Sequence, residues 1–366
     1  MADVYRVSPP FEARSHLVVF LAGIVLALSL PLINAWLLPV NFADVFRSVP
    51  PRYANYRFMG NAIAGGGDVD VLVVGASDAE TAFDTNVLTE ELSARLGRPV
   101  RVLNFGANWY GAEAYYTRVE GALSNLKVKV VVVLDSFGGT NYPHELAEYW
   151  WLYPKAVTPA SLTLRGKATL YAATLLGAPR RSWADLRGVA NLRVTSEWQP
   201  SVNERDQKLG FNGVRLGWSD GGPRAEYADV TRALPEIPLS TLFYRDAEDD
   251  GFVNFYGEYT AYQTAFLKQI DQIVTAQGGI FAMASTPVAV NGKLADKAFV
   301  RPLWHGEPRS WPQFGIATAR LFEGMSDEQA HPFYFNEYHL NASGAKLYSR
   351  AIAPALAKLL TDAEHH

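Results

Sequence analysis

The chain contains no cysteine. That excludes a disulfide framework, a thiolate nucleophile and a zinc-thiolate site, although the absence fits an oxidising and a reducing compartment equally well. Histidine is sparse as well. The 7 histidines are scattered, His365 and His366 are the terminal pair, and neither H-x-x-x-H nor H-E-x-x-H occurs, so no metal site is expected. A long basic run is missing, and the formal net charge is -4. Phosphate neutralisation needs clustered Lys and Arg, so nucleic acid is not an expected partner. No internal repeat or low-complexity tract is visible, and Gly65-Gly66-Gly67 precedes a strand instead of following one, which argues against a phosphate loop. No cofactor is expected. The 366 residues, 49% of them apolar, are enough for one large domain or two ordinary ones.

Charge is missing from one stretch altogether. Between Ser15 and Ala43 there is no Asp, Glu, Lys or Arg, and His16 is the only titratable side chain. At about 1.5 Å of rise per residue, the apolar run Leu17 to Val40 is long enough to cross a hydrocarbon core of about 30 Å. Three readings compete: an uncleaved membrane anchor, a cleaved signal peptide and a buried core helix. The run exceeds the apolar region of a secretory signal, about 7–15 residues, and has no small-x-small cleavage site, so the anchor is preferred. Pro31 is expected to kink it and Trp36 to sit at the interface. Arg6 and Arg14 precede the run and Arg47, Arg52 and Arg57 follow it, so the positive-inside count does not set the orientation. A short tail before one span and a large domain after it is the layout of a signal anchor. The expectation is a single-pass protein of a bacterial inner membrane, with 1–45 as tail and anchor and 46–366 as a periplasmic domain.

Beyond the linker Ser48 to Arg57, strands and helices alternate. Val69 to Val74 is a β-branched, nearly unbroken apolar run, as expected of a parallel strand covered on both faces. Leu88, Leu92 and Leu96 then fall at helical spacing, and Gly97 with Pro99 should end that helix. Val100 to Leu103 reads as the next strand, Gly111 to Leu126 as the next helix and Lys129 to Leu134 as the third strand. Tyr259, Tyr262, Phe266, Ile270 and Ile273 mark a later amphipathic helix, stopped by Gly278 and Gly279 before the strand Ile280 to Ala284, and a last helix is expected over Ala342 to Leu360, interrupted at Pro354. This rhythm implies an α/β fold, a three-layer parallel sheet flanked by helices. Pro143 to Gly251 breaks the rhythm, and its Trp150, Trp151, Trp183, Trp198 and Trp218 suit an insertion over the sheet. Such an insertion can be a glycan platform, a lid or a docking surface for a membrane partner, and the residues do not separate these.

Ligands of open parallel sheets bind outside the carboxyl ends of the strands. The residues expected there are Gly75-Ala76-Ser77-Asp78, Asn104-Phe105-Gly106-Ala107-Asn108, Asp135 to Asn141 and, before the last helix, Asn336-Glu337-Tyr338-His339-Leu340-Asn341. Together they suit acyl transfer. A serine between a strand end and a helix start presents its hydroxyl at the rim. The amides of Ser77 and Gly106, with the side chain of Asn141, can face one oxyanion. His339 can act as general base. The plainer alternatives are Ser77 as a helix N-cap, His339 as a structural loop histidine and Asn141 as a turn residue. Asp78 and Glu80 read as helix-start charges without a catalytic role.

In the order of these blocks the chain resembles the SGNH (GDSL-like) hydrolase superfamily. Gly75-Ala76-Ser77 matches the nucleophile block, Gly106 is nearest to the oxyanion glycine, Gly139-Thr140-Asn141 matches G-x-N, and His339-Leu340-Asn341 with Gly344 matches H-L-N-x-x-G. The resemblance implies an SGNH/flavodoxin-like sheet and a serine esterase or O-acyltransferase, with Ser77, His339 and the residue at Asn336 catalytic and Gly106 and Asn141 in the oxyanion hole. The layout is similar to anchored SGNH-like proteins that work beside membrane O-acyltransferases. This implies the bilayer, an integral-membrane protein and a cell-envelope glycan or polymer as partners. Two positions depart from the pattern: Asn336 stands where the family has Asp, and Trp109 where many members have a later glycine. An amide accepts a hydrogen bond from the imidazole but adds no charge, and in the serine-protease template the equivalent change costs about 10⁴ in kcat. A Ser77–His339 dyad, an acid elsewhere such as Glu337, and a catalytically silent fold serving as an accessory subunit of a membrane complex all remain open.

Overall fold

The computed structural model describes residues 15–26, 29, 41–47, 56–107, 111–134, 162–168, 260–287, 311–316, 318–336 and 339–365. Of the expected insertion over Pro143 to Gly251, only 162–168 fall within them, and so do only 17–26 and 29 of the apolar run Leu17 to Val40. Residues 15–26 form helix α1, and every residue of it is exposed, including Leu17, Val18, Val19, Phe20, Leu21, Val25 and Leu26. Among the described residues no helix is long and apolar enough to cross a membrane.

The sheet has five parallel strands: β1 (Gly67–Gly75), β2 (Val102–Gly106), β3 (Leu126–Leu134), β4 (Ile280–Ser285) and β5 (Gln313–Gly315), in the order β2-β1-β3-β4-β5. This is a doubly wound order, whose ligand crevice lies at the carboxyl ends where the connections reverse, between β1 and β3. Both faces of the strands are covered, which explains their unbroken apolar character. Leu72, Val74, Val131 and Val133 face one core cluster, with α2 (Phe42–Arg47), α3 (Tyr56–Gly65), α6 (Ala112–Leu123) and α7 (Ala261–Thr275). Val71, Val73, Val130 and Val132 face the other, with α4 (Ser77–Ala82), α5 (Thr85–Leu96) and α10 (Ala342–Glu364). Between β5 and α10 lie the short helices α8 (Thr318–Leu321) and α9 (Asp327–Ala330) and the antiparallel hairpin of β6 (Tyr334–Asn336) and β7 (His339–Leu340).

Several boundaries move from their sequence-based positions. The second strand runs to Gly106, so Asn104 lies inside it and not in the loop beyond. A short helix, α4, intervenes before the expected Leu88 helix. That expected helix starts where the Asp84 side chain accepts the N–H groups of Asn86 and Val87, and it stops at Gly97 with φ of 66°. Pro354 does not interrupt α10, which continues through it to Glu364. Packing along most of its length, from Ala345 to Leu360, outweighs the one backbone bond that the proline removes.

Candidate active site

β1 ends at Gly75, and Ser77 is the first residue of α4. The residue in the N-cap position is Ala76, which makes no side-chain cap. The hydroxyl of Ser77 instead points to His339, with Oγ 2.8 Å from Nε2. The N-cap reading of Ser77 is therefore replaced: its hydroxyl reaches a partner 262 residues away in the chain.

Two glycines let α4 sit this low on the strand ends. A Cβ on Gly75 would come within 2.5 Å of the Ala79 side chain and 2.9 Å of the Leu134 side chain, and one on Gly106 would overlap the Glu80 backbone nitrogen. Asn104 then ties β2 to α4. Its Nδ2 donates to the Ala79 carbonyl at 2.9 Å, while its Oδ1 accepts the Gly106 N–H at 2.8 Å. An amide N–H has one hydrogen, and that of Gly106 goes to Asn104. Gly106 thus serves the site by close packing, and its N–H does not face an oxyanion in this arrangement. The N–H of Ser77, in the first turn of a helix, has no intrahelical acceptor and remains the backbone candidate.

His339 is 8% exposed and lies in β7, whose register pairs it with Asn336 of β6. The residues after it hold it there. Asn341 is the N-cap of α10, accepting the N–H groups of Ser343 and Gly344, and its own N–H donates to the Phe333 carbonyl at 2.9 Å. A Cβ on Gly344 would overlap that carbonyl. The H-L-N-x-x-G pattern therefore has a mechanical meaning: asparagine starts the helix, glycine admits the neighbouring carbonyl, and the histidine is left aimed at Ser77. Asn336 is placed by its backbone beside His339. Asn141, Glu337 and Trp109 lie outside the described residues.

The surroundings hold more buried charge than the sequence led one to expect. Asp78 and Glu80, read as helix-start charges without a catalytic role, are 4% and 6% exposed, and Asp78 Oδ1 accepts the Ala79 N–H at 2.9 Å. On the opposite face of the sheet, Glu113 and Arg118 of α6 are wholly buried. Sequence reasoning passed over both. The available signal was the presence of three charged residues, Glu113, Arg118 and Glu120, in a helix otherwise rich in small and aromatic residues, AEAYYTRVEGAL, lying between two strands.

Chemically, a serine hydroxyl within hydrogen-bond reach of a histidine ring nitrogen can act as a nucleophile–base pair. With Nε2 unprotonated, the Ser77 hydroxyl donates to it. Among the described residues no group of three or more His, Asp or Glu side chains could hold a metal ion. Comparison with protein-family models, with curated proteins and with solved structures returns no match for this chain.

Proposed function

We propose that the chain is a membrane-anchored serine esterase or O-acyltransferase of SGNH type, acting from the periplasmic side of an inner membrane on an ester of a cell-envelope glycan or polymer. The observation that carries this reading is the 2.8 Å contact between Ser77 Oγ and His339 Nε2 at the carboxyl end of the sheet. In the reaction, Ser77 Oγ attacks the ester carbonyl carbon while Nε2 takes its proton. The tetrahedral oxyanion faces the Ser77 N–H and the Asn141 side chain. Collapse expels the alcohol, which receives the proton from His339 and leaves an acyl-serine. Water, or an acceptor hydroxyl, then attacks that ester with His339 again as base. The anchor is supported by α1, whose apolar side chains are exposed on all sides and would be solvated at a cost in water but not in lipid.

Fluorophosphonate labelling of the detergent-solubilised protein tests the chemistry. Labelling that disappears in Ser77→Ala supports the covalent mechanism; labelling no stronger than in Ser77→Ala removes it. A second reading, a silent accessory subunit of a membrane complex, is favoured by the occupied Gly106 N–H and by Asn336 in place of a carboxylate. Under that reading the protein co-purifies in mild detergent with an integral-membrane partner, and Ser77→Ala leaves the complex working.

A further inference from the structure

The turn that carries Ser77 is gripped from both faces of the sheet. On one face lie α4 and the Asn104 side chain, described above. On the other, Arg118 of α6 reaches the strand ends. Its Nη1 donates to the Gly75 carbonyl at 2.6 Å and to the Phe105 carbonyl at 3.0 Å. These are the end of β1, two residues before Ser77, and the penultimate residue of β2. One guanidinium nitrogen thus ties the two strand ends together directly behind the serine.

Burying a guanidinium is costly, and it persists only where neighbours compensate the charge. Arg118 is 0% exposed. Its guanidinium carbon stands over two rings, 5.6 Å from the Tyr56 centroid and 5.3 Å from that of Tyr115, so two aromatic faces attract the cation. Tyr56 is itself wholly buried and packs on Phe46 with ring centroids 5.8 Å apart. Burial pushes the Tyr56 hydroxyl above its ordinary pKa, and the Arg118 charge pulls against that shift. A plain packing role would not need a charged group here, because α6 already fills this face with Tyr115, Tyr116 and Val119. What an apolar side chain cannot supply is a charged donor to two strand-end carbonyls at once.

We propose that Arg118 is the positioning residue of the Ser77 turn: by clamping the Gly75 and Phe105 carbonyls it sets the direction of the serine hydroxyl toward His339. Tyr56 and Tyr115 hold the guanidinium in place. The clamp rests on the Ser77–His339 contact, and its consequence for catalysis rests also on the esterase reading.

The test uses the full chain in detergent, with Arg118→Gln, Arg118→Lys and, as a control that destabilises a distant part of the core, Leu356→Ala. The folded fraction of each is measured by near-ultraviolet circular dichroism. Fluorophosphonate labelling is followed as a rate constant per folded molecule, with the saturation constant for the reagent fitted separately. Arg118→Gln is expected to lower the maximal rate by about 100-fold, as a misaimed nucleophile does, while leaving the saturation constant within about threefold, since reagent binding is not what the clamp sets. Arg118→Lys, which keeps a charged donor, recovers much of the loss, and Leu356→Ala keeps the wild-type rate per folded molecule. An Arg118→Gln rate equal to wild type, or no larger a loss than in Leu356→Ala, overturns the proposal. If the wild type labels no better than Ser77→Ala, the esterase reading fails on its own, and the clamp is judged from the ¹⁵N shifts of the His339 ring. In that case Arg118→Gln should move the Nε2 signal as Ser77→Ala does, and an unmoved signal overturns the clamp.

Discussion

The two ends of the sheet handle polar groups in opposite ways. Toward the amino ends, Asp70 of β1 accepts the Arg101 N–H at 2.8 Å, Arg98 Nη1 at 2.9 Å and Lys129 Nζ at 3.2 Å. Glu364, at the end of α10, accepts from the same Arg98 and Lys129. The network fastens the C-terminal helix across β1 and β3; Asp70 is buried, while Arg98, Lys129 and Glu364 remain open to solvent. At the carboxyl ends, Asn104, Asp78, Glu80, Glu113 and Arg118 are almost fully buried, and one hydroxyl–imidazole contact is left at the rim. The Glu364 pairs are exposed at both partners and the Asp70 pairs at the cation, so water and salt screen them and each is worth little. A buried polar group must keep its partner or cost its full desolvation, so that end tolerates few substitutions. The difference separates an end that fastens the fold from the end where the proposed chemistry would take place.

The largest effect should come from the carboxyl end. His339→Ala is expected to lower hydrolysis of a small acetate ester by about 10³-fold or more per folded molecule, as loss of a general base does; a smaller change would remove His339 from the reaction. Next is Asn336→Asp. Its backbone lies beside His339, and a carboxylate there would stabilise the imidazolium, so hydrolysis of the same ester should rise. Unchanged or lower activity would count against a dyad with that geometry.

Gly106→Ala probes the packing under α4 and not the reaction. Its Cβ would overlap the backbone of Glu80, which a rotamer change cannot relieve, and urea unfolding should show a loss of about 2–3 kcal/mol. A near-neutral result would mean that α4 moves easily on the strand ends.

The smallest effect belongs to the amino end. Burial alone would raise the Asp70 pKa, but the Arg101 N–H and the Lys129 and Arg98 cations outweigh it and hold the carboxyl below its ordinary value. A depressed folded pKa adds stability above the unfolded value of about 3.9, and that stability is lost as pH falls through the folded value. Asp70→Asn should therefore flatten the acid limb of the melting-temperature profile and cost about 1 kcal/mol or less at neutral pH, with salt reducing the difference. A loss as large as that of Gly106→Ala would erase the contrast between the two ends.

Much of the scaffold was legible from residues alone. The valine runs of β1 and β3 have the composition that a strand covered on both faces requires, and Gly97 takes the left-handed conformation that ends a helix. The H-L-N-x-x-G pattern marked the start of α10 because asparagine is a good N-cap and glycine admits a close backbone. Less was legible at the rim itself. Ser77 was the expected nucleophile with a helix N-cap as its plainer alternative, and that alternative falls because α4 begins at Ser77 with Ala76 in the cap position. Gly106 looked like an oxyanion donor because a glycine after a strand often is; β2 runs three residues further than expected, and there the Gly106 N–H donates to the Asn104 side chain two residues back.

By itself the sequence determined what local physics controls: an alternating α/β chain, a charge-free apolar stretch before it, and a serine and a histidine as the remaining candidates once thiols and metal ligands are gone. Periodicity and capping depend on neighbours a few residues apart, so they can be read along the chain. Only the tertiary structure decided that Ser77 meets His339, that the Gly106 N–H is occupied, and that Arg118 is buried behind the serine on the opposite face of the sheet. The Ser77–His339 and Arg118 contacts join residues from separate elements, the Gly106 N–H is taken by a side chain of its own strand only once that strand forms, and whether a charge is solvated or clamped depends on what folds over it.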